Sequence, residues 1–320
     1  MSENENTSLI PIDDCISELF DSYDTKPKRK ISYIPSFFTT ASLPFKNVHK
    51  PVFTRKGTMG ITLTLTSPKN VPYGRYGRLL LSIFTTHAVI SNTDDVIIKY
   101  NSLSDLLKEL QLPKQRGAEI MEQLKCFSNC SFSFEQKKRE LQSGYLFSEL
   151  YNKDYPEKDV IVKTVSTGNI RFITAMQFKE VTELEKDNKI GYFQIILSDE
   201  FVAFCKKHSV PIDYNIYKEI LSPLGKDLYA WLVYRNNVIT SPIFIPRAKL
   251  VEQFMPVEDN KISNQVNVNY AKIIERLKEI KEKYYKDLNI TFNSSGIVLQ
   301  KSNNIIKEND KRYTLVSMDL

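Results

Sequence analysis

The stretch Asn264-Gln-Val-Asn-Val-Asn-Tyr-Ala-Lys-Ile-Ile-Glu-Arg-Leu-Lys-Glu-Ile-Lys-Glu-Lys-Tyr-Tyr-Lys-Asp-Leu288, followed at once by Asn289-Ile-Thr-Phe-Asn-Ser-Ser-Gly-Ile-Val-Leu-Gln-Lys301, decides how the chain is read. Its first part carries apolar side chains at Tyr270, Ile273, Ile274, Leu277, Ile280 and Tyr284, a three-and-four recurrence that predicts an amphipathic helix. With Leu277 at the centre of the buried face and a step of about 100° per residue, Gln265, Asn269, Lys272, Arg276 and Lys283 align along one flank of the exposed side. These are side chains that hydrogen-bond base edges (Gln, Asn, Arg) and phosphates (Lys, Arg). The second part predicts a short hairpin with Ser294, Ser295 and Gly296 at its tip. Taken alone, the stretch is equally well a solvated surface helix beside a hairpin, so the rest of the chain has to decide.

A length of 320 residues leaves room for two domains of ordinary size. Hydrophobic and charged contents of 42% and 26% are globular values. The net charge of +6 is compatible with a nucleic-acid partner without requiring one. No run approaches the ~18 apolar residues that a membrane helix needs, and the acidic, polar first residues do not read as a signal peptide. A cytoplasmic protein with no membrane partner is therefore expected. Cys15, Cys126, Cys130 and Cys205 lack metal-ligand spacing and read as reduced thiols. The three histidines, His49, His87 and His208, form no His-x-His or His-x-x-x-His pair, so the metal of a rolling-circle nickase has no obvious ligands. His87 lies in an apolar helical stretch and reads as structural. There is no Gly-x-x-x-x-Gly-Lys-[Ser/Thr] loop. The carboxylate pairs at 13–14, 94–95 and 258–259 sit in turns or tails. No catalytic residue, metal or cofactor is expected.

In chain order, residues 1–30 hold few large apolar groups. Ile16, Leu19, Phe20 and Tyr23 suit one weak helical turn or a docking peptide, and residues 26–30 form a cationic run. Strict alternation at 61–65 predicts a strand, and a long helix begins at Gly74 or Tyr76. A short strand at 96–99, a short helix capped by Ser102 or Ser104, a break at Pro113 and a second helix over 114–127 follow. Residues 131–134 and 145–147 are expected to form a hairpin around a basic tip at 136–139. Strands are expected at 160–165, 170–175 and 192–197, with a charged loop at 182–189. Helices at 199–207, 214–221 and 224–235 come next, then a strand at 242–245, a helix at 247–254 and a polar linker at 257–263.

The two halves share an element order: long helix, short strand, short helix, long helix, hairpin. The short strands begin about twenty residues after their long helices in both, although the sequences are not alike. This order predicts an α+β protein of two winged-helix domains in tandem, with an extra β-sheet in the first half. The expected division is a mostly flexible tail over 1–50, a first winged helix over 51–198 and a second over 199–320. The second is expected to be the main DNA-binding domain. The first is expected to contribute dimerisation and an accessory DNA contact.

Three stretches then resemble the plasmid-encoded RepA replication initiators. Val71-Pro-Tyr-Gly-Arg-Tyr-Gly-Arg-Leu-Leu-Leu-Ser-Ile-Phe-Thr-Thr-His-Ala-Val89 is close to that family's Leu-Pro-Tyr-Gly, Arg-Leu-Leu-Leu and Thr-Thr-x-Ala pattern. Leu197-Ser-Asp-Glu-Phe201, Val210-Pro-Ile-Asp213 and Asp227-Leu-Tyr-Ala-Trp-Leu-Val-Tyr-Arg235 form the second, and the helix and hairpin quoted above form the third. The order matches over most of 42–301. Gly77 stands where many members have proline, and the 114–127 helix is less basic than usual. The resemblance implies a non-enzymatic initiator that binds repeated duplex sites (iterons) at a plasmid origin and recruits the host replication initiator and the replicative helicase. The DNA contacts expected are Gln265, Asn269, Lys272 and Arg276 on the helix, Lys283 on phosphate, Ser294, Ser295 and Lys301 on the wing, and Lys114, Gln115 and Arg116 in the first half. A transcriptional repressor, and an origin-nicking or priming enzyme, stand as alternatives. A homodimer through the β-rich first half is also permitted.

Overall fold

The computed structural model describes residues 29–57, 60–140, 160–166, 168–181, 189–256, 262–306 and 313–315. The chain starts with β1 (Arg29–Pro35), α1 (Ser36–Thr40), β2 (Val52–Lys56) and β3 (Ile61–Thr66). It continues through α2 (Gly74–Ile90), β4 (Ile97–Tyr100), α3 (Leu103–Glu109), a 3-10 turn (Lys114–Arg116) and α4 (Gly117–Ser128). Five strands follow: β5 (Ser131–Glu140), β6 (Val160–Ser166), β7 (Ile170–Arg171), β8 (Ile173–Val181) and β9 (Lys189–Leu197). Then come α5 (Asp199–Lys207), β10 (Ser209–Asp213), α6 (Tyr214–Glu219), α7 (Pro223–Val238), β11 (Ile243–Pro246), α8 (Arg247–Phe254) and α9 (Ile262–Lys283). The strands β12 (Ile290–Asn293), β13 (Gly296–Leu299) and β14 (Tyr313–Leu315) close the chain.

The second half is a winged helix with little embellishment. Ser222 caps α7, its Oγ accepting from the Gly225 amide at 3.3 Å, and Pro223 sets the first turn. The antiparallel sheet runs β11-β13-β12, with β12 and β13 forming the wing. Ile273, Leu277 and Ile280 on α9 are each at most 1% exposed, and α9 packs against α7 and α8.

The first half uses the same order, α2, β4, α3 and α4, but its wing differs from expectation. The partner of β4 is β9, and β9 pairs with β8, giving the sheet β4-β9-β8. The expected hairpin of 131–134 with 145–147 does not form this wing. Instead β5 runs on through residues 136–139, so that this basic run is strand rather than tip, and pairs with β3 and β6. Residues 145–147 lie outside the described residues. In the β2-β3-β5-β6 sheet, with β7 against β5, the strands β5, β6 and β7 are thus inserted between the third helix of the unit and its wing, while β2 and β3 precede α2. Phe38, Phe132, Phe134, Phe172 and Phe201 fill the space between this sheet, α1 and α5 with tilted and edge-on ring contacts.

Only part of the expected 1–50 tail can be compared, because residues 1–28 lie outside the described ones. Residues 29–50 are built into the fold. β1 lies between β10, antiparallel, and β14, parallel. Ile34, Phe38 and Leu43 are at most 4% exposed. This was hidden in the sequence because β1 finds its partner some 180 residues away.

The two units share one hydrophobic core. At their junction, Arg78 of α2 grips Asp227 of α7, Nε to Oδ1 at 2.6 Å and Nη2 to Oδ2 at 2.7 Å. The guanidinium also donates to the carbonyls of Leu43, Pro44 and Gly74. Ser42 donates to Asp227 at 2.6 Å and accepts from Arg55 at 2.8 Å. Burial lowers the Arg55 guanidinium to about 10, with Asp227 opposing the shift. Arg78 and Asp227 come from two different resemblance-bearing stretches, and the buried pair explains why both matter to the architecture.

Candidate nucleic-acid interface

Four local features fix the surface formed by α8, α9 and the wing. Arg247 opens α8, and its amide donates to the Ser295 carbonyl at 2.9 Å, joining that helix to the wing tip. The Tyr270 hydroxyl lies 2.7 Å from the Asn293 carbonyl and 2.9 Å from that of Gly296, so the helix also holds the tip. A Cβ at Gly296 would fall 2.2 Å from the Ile245 carbonyl, which requires glycine where the wing crosses β11. Asn269 anchors the start of α9: its Nδ2 donates to the Met255 carbonyl at 2.9 Å, and its Oδ1 accepts from Gln265 at 2.8 Å.

This last contact corrects the sequence expectation for Asn269. The side chain is 5% exposed and cannot meet a base from that position. The buried face of α9 centres on Ile273 and Ile280, about 40° round from Leu277 at 100° per residue. The flank that held Gln265, Asn269 and Arg276 therefore rolls toward the protein. Gln265 is half-buried against Asn269. Lys272 remains exposed, with no ion-pair or hydrogen-bond partner among the described residues.

The outward face consists of Asn264, Asn267, Val268, Ala271, Lys272 and Glu275. Asn264 to Lys272 rises about 12 Å, the width of a duplex major groove. The Asn267 Oδ1 accepts from Arg247 Nη1 at 3.2 Å, which orients the amide and leaves its donors outward. Val268 is 46% exposed, an apolar group on a helix face where a thymine methyl offers a partner. Arg247 and Lys249 flank the face from the first turn of α8, and Ser294 and Ser295 stand exposed at the wing tip. Sequence reasoning missed Arg247, Lys249, Asn264, Asn267 and Val268. The available signal was the strand-to-helix junction at Pro246–Arg247, which places a cation at a helix start next to the wing.

The C-terminal half of α9 differs. Arg276 is bound by Glu279 at 2.6 Å and Glu275 at 3.3 Å, and Lys283 reaches Glu279 at 3.2 Å. The hydrogen bond from Arg276, more than any other contact, holds the Glu279 carboxyl below its ordinary value. Arg276 and Lys283 face a cleft between the two units rather than the outward face. Lys301 is also displaced from its expected place. It follows β13, at the end away from the tip, and its ammonium donates to the Asn236 carbonyl of α7 at 2.5 Å.

In the first unit, Lys114, Gln115 and Arg116 are exposed on the 3-10 turn, and Arg116 pairs with Glu119 at 2.9 Å. The outer side of α4 shows Ala118, Glu119, Glu122 and Lys125. Tyr73 donates to Glu122 at 2.5 Å, while its amide donates to the buried Gln123, pinning α4 to the start of α2. Burial, then the Glu122 contact, pushes the Tyr73 hydroxyl up to about 12.

His87 lies 2.9 Å from Glu109, which also accepts from Tyr100 at 2.6 Å. Cys126, Cys130 and Cys205 are buried, and burial raises their thiols. Among the described residues, no group of three or more His, Cys, Asp or Glu could hold a metal ion, and no helix is long and apolar enough to cross a membrane.

No family model and no curated protein matches the chain. Solved structures do. Domains 2 and 3 of RctB are similar with a TM-score of 0.48 at 13% identity, over 85% of this chain and 99% of that one. A second RctB structure of domains 2–3 gives 0.42 at 12%, over 81% and 92%. The Pi initiator protein, solved in complex with iteron DNA, gives 0.43 at 11%, over 86% and 96%.

Proposed function

We propose that the protein is a plasmid replication initiator of the RepA type. In this reading it binds repeated duplex sites at the origin through its second winged helix and recruits the host replication initiator and the replicative helicase. The observation that carries the DNA-binding part is the outward face of α9, uncharged amides flanked by Lys272 and Arg247, with the wing tip bound to the same helix through Tyr270. Amides give directional donors and acceptors for base edges, and the flanking cations meet the backbone. The sequence resemblance to RepA initiators supports the origin context.

The protein acts by binding, without catalysis. Asn264 and Asn267 read base edges, while Lys272, Arg247 and Lys249 meet phosphates. Ser294 and Ser295 approach the neighbouring backbone. Lys114 and Gln115 remain candidates for an accessory contact from the first unit, and dimerisation through that unit stays part of the proposal. Footprinting the purified protein on DNA flanking its own gene should protect an array of direct repeats; a single protected site would favour the repressor. Lys272→Ala should lower the slope of log affinity against log salt by about one. Supercoiled origin DNA incubated with the protein and a divalent cation should stay closed, and a nick would overturn the non-catalytic reading.

A further inference from the structure

The cleft between the two units has a volume of about 710 Å³ and is walled by the α3–α4 turn, the α6–α7 loop and the C-terminal half of α9. Arg75, Lys218, Arg276 and Lys283 bring cations to it, and Leu112 and Leu221 bring apolar surface. Leu221 is 65% exposed. The Arg75 Nε is buried with no hydrogen-bond partner among the described residues. Of the two acids present, Glu279 is taken up by Arg276 and Lys283, and Glu219 lies 3.5 Å from the Tyr284 hydroxyl. The cleft thus has both cationic surplus and exposed apolar surface.

The sequence contains a segment of complementary chemistry. Residues 1–25 hold seven acids and no lysine or arginine. Within them, Ile16, Leu19, Phe20 and Tyr23 recur at three and four, between Asp13, Asp14, Glu18, Asp21 and Asp24. The point of entry into the fold is close by. Arg29 donates to Asp213 and the Lys30 amide to Asn215, both at 3.2 Å, so the chain joins the structure beside the start of α6. The six residues of α6 cover about 9 Å and end on the cleft rim. Tyr23 lies six residues before Arg29, within about 20 Å of extended chain.

We propose that residues 13–24 dock in this cleft, with Leu112 and Leu221 receiving their apolar side chains and Arg75, Lys218, Arg276 and Lys283 facing their carboxylates. The occupant is this chain's own acidic segment, in cis. The docked segment meets the C-terminal half of α9 and leaves the outward face of its first half, on which the DNA-binding reading rests, uncovered.

Cys15 offers a handle, because Cys126, Cys130 and Cys205 are buried. The full chain is labelled at Cys15 with a photoactivated maleimide, and the cross-linked peptides of a mixture of isotopically light and heavy chains are mapped by mass spectrometry. Cross-links should concentrate on residues 218–222 and 276–284 of the same chain. Phe20→Ser, outside the described fold, and Leu221→Asp, on an exposed loop, should each reduce them at least about tenfold. Cross-links spread over the surface, unchanged in both variants, or joining light to heavy chains would overturn the proposal. The experiment contains no DNA, so its failure leaves duplex binding standing.

Discussion

Helices α4 and α9 hold the same place in their units, each following a long helix, a short strand and a short helix. Their outer surfaces are opposite. The 12-residue α4 carries two acids and one lysine, and one of those acids is bound by Tyr73. The 22-residue α9 has five cations and three acids, and all three acids lie at or beyond Glu275. Its first half is uncharged except for Lys272. An acid-bearing helix repels phosphate, whereas an amide-bearing one can enter a groove and take hydrogen bonds from base edges. The scaffold alone does not assign the reading role. The surface of the third helix is where the units differ, and on that difference the proposed reading role is given to the second unit.

The largest effect is expected where the units join. Asp227→Ala leaves Arg78 buried without its counter-charge and should cost about 3–5 kcal/mol in urea unfolding. Next, Lys272→Glu should weaken duplex binding about 30-fold by fluorescence anisotropy, while Lys125→Glu on α4 should change it less than about twofold. Equal losses would erase the distinction between the helices. Asn267→Ala should reduce discrimination between cognate and scrambled duplex by about 1–3 kcal/mol, and Glu122→Ala should leave it unchanged. Tyr270→Phe frees the wing tip and should cost about 1 kcal/mol of stability together with duplex affinity; Tyr73→Phe should cost stability alone.

The smallest effect concerns pH. The folded Glu279 carboxyl lies below its ordinary value, chiefly through Arg276. Its contribution is therefore present above the unfolded value near 4.5 and lost as pH falls through the folded one. Glu279→Gln should remove about 0.5 kcal/mol or less of this acid sensitivity between pH 6 and 3, allowing for solvent screening, in urea midpoints. Glu119 on α4, paired with Arg116, should respond with the same sign.

Much of this comparison was legible in the sequence where contacts are local. The helix over Arg247–Phe254 follows from its apolar spacing, and the caps at Ser102 and Ser222 follow from residue type. Non-local pairing was not legible. Nothing near β5 announces that it leaves its unit to pair with β3, and nothing near β1 announces β10. On the candidate face, Lys272, Ser294 and Ser295 lie exposed. Asn269 does not, because a helical wheel drawn from one leucine misplaces the face, and because an amide can serve as a helix anchor as readily as a base reader. Arg276 and Lys283 have their partner Glu279 three and four residues away on the same helix, a pairing legible in the sequence, whereas the Asn236 partner of Lys301 appears only when the wing base meets α7.

The most direct test of the central claim is a hydroxyl-radical footprint on DNA flanking the protein's own gene. It compares the wild type, an Asn264→Ala and Asn267→Ala double variant, and Glu122→Ala. The first half of α9, acting as reader, predicts repeated protections that vanish in the double variant and persist in Glu122→Ala. Protections that survive the double variant and are lost with Glu122→Ala would contradict it.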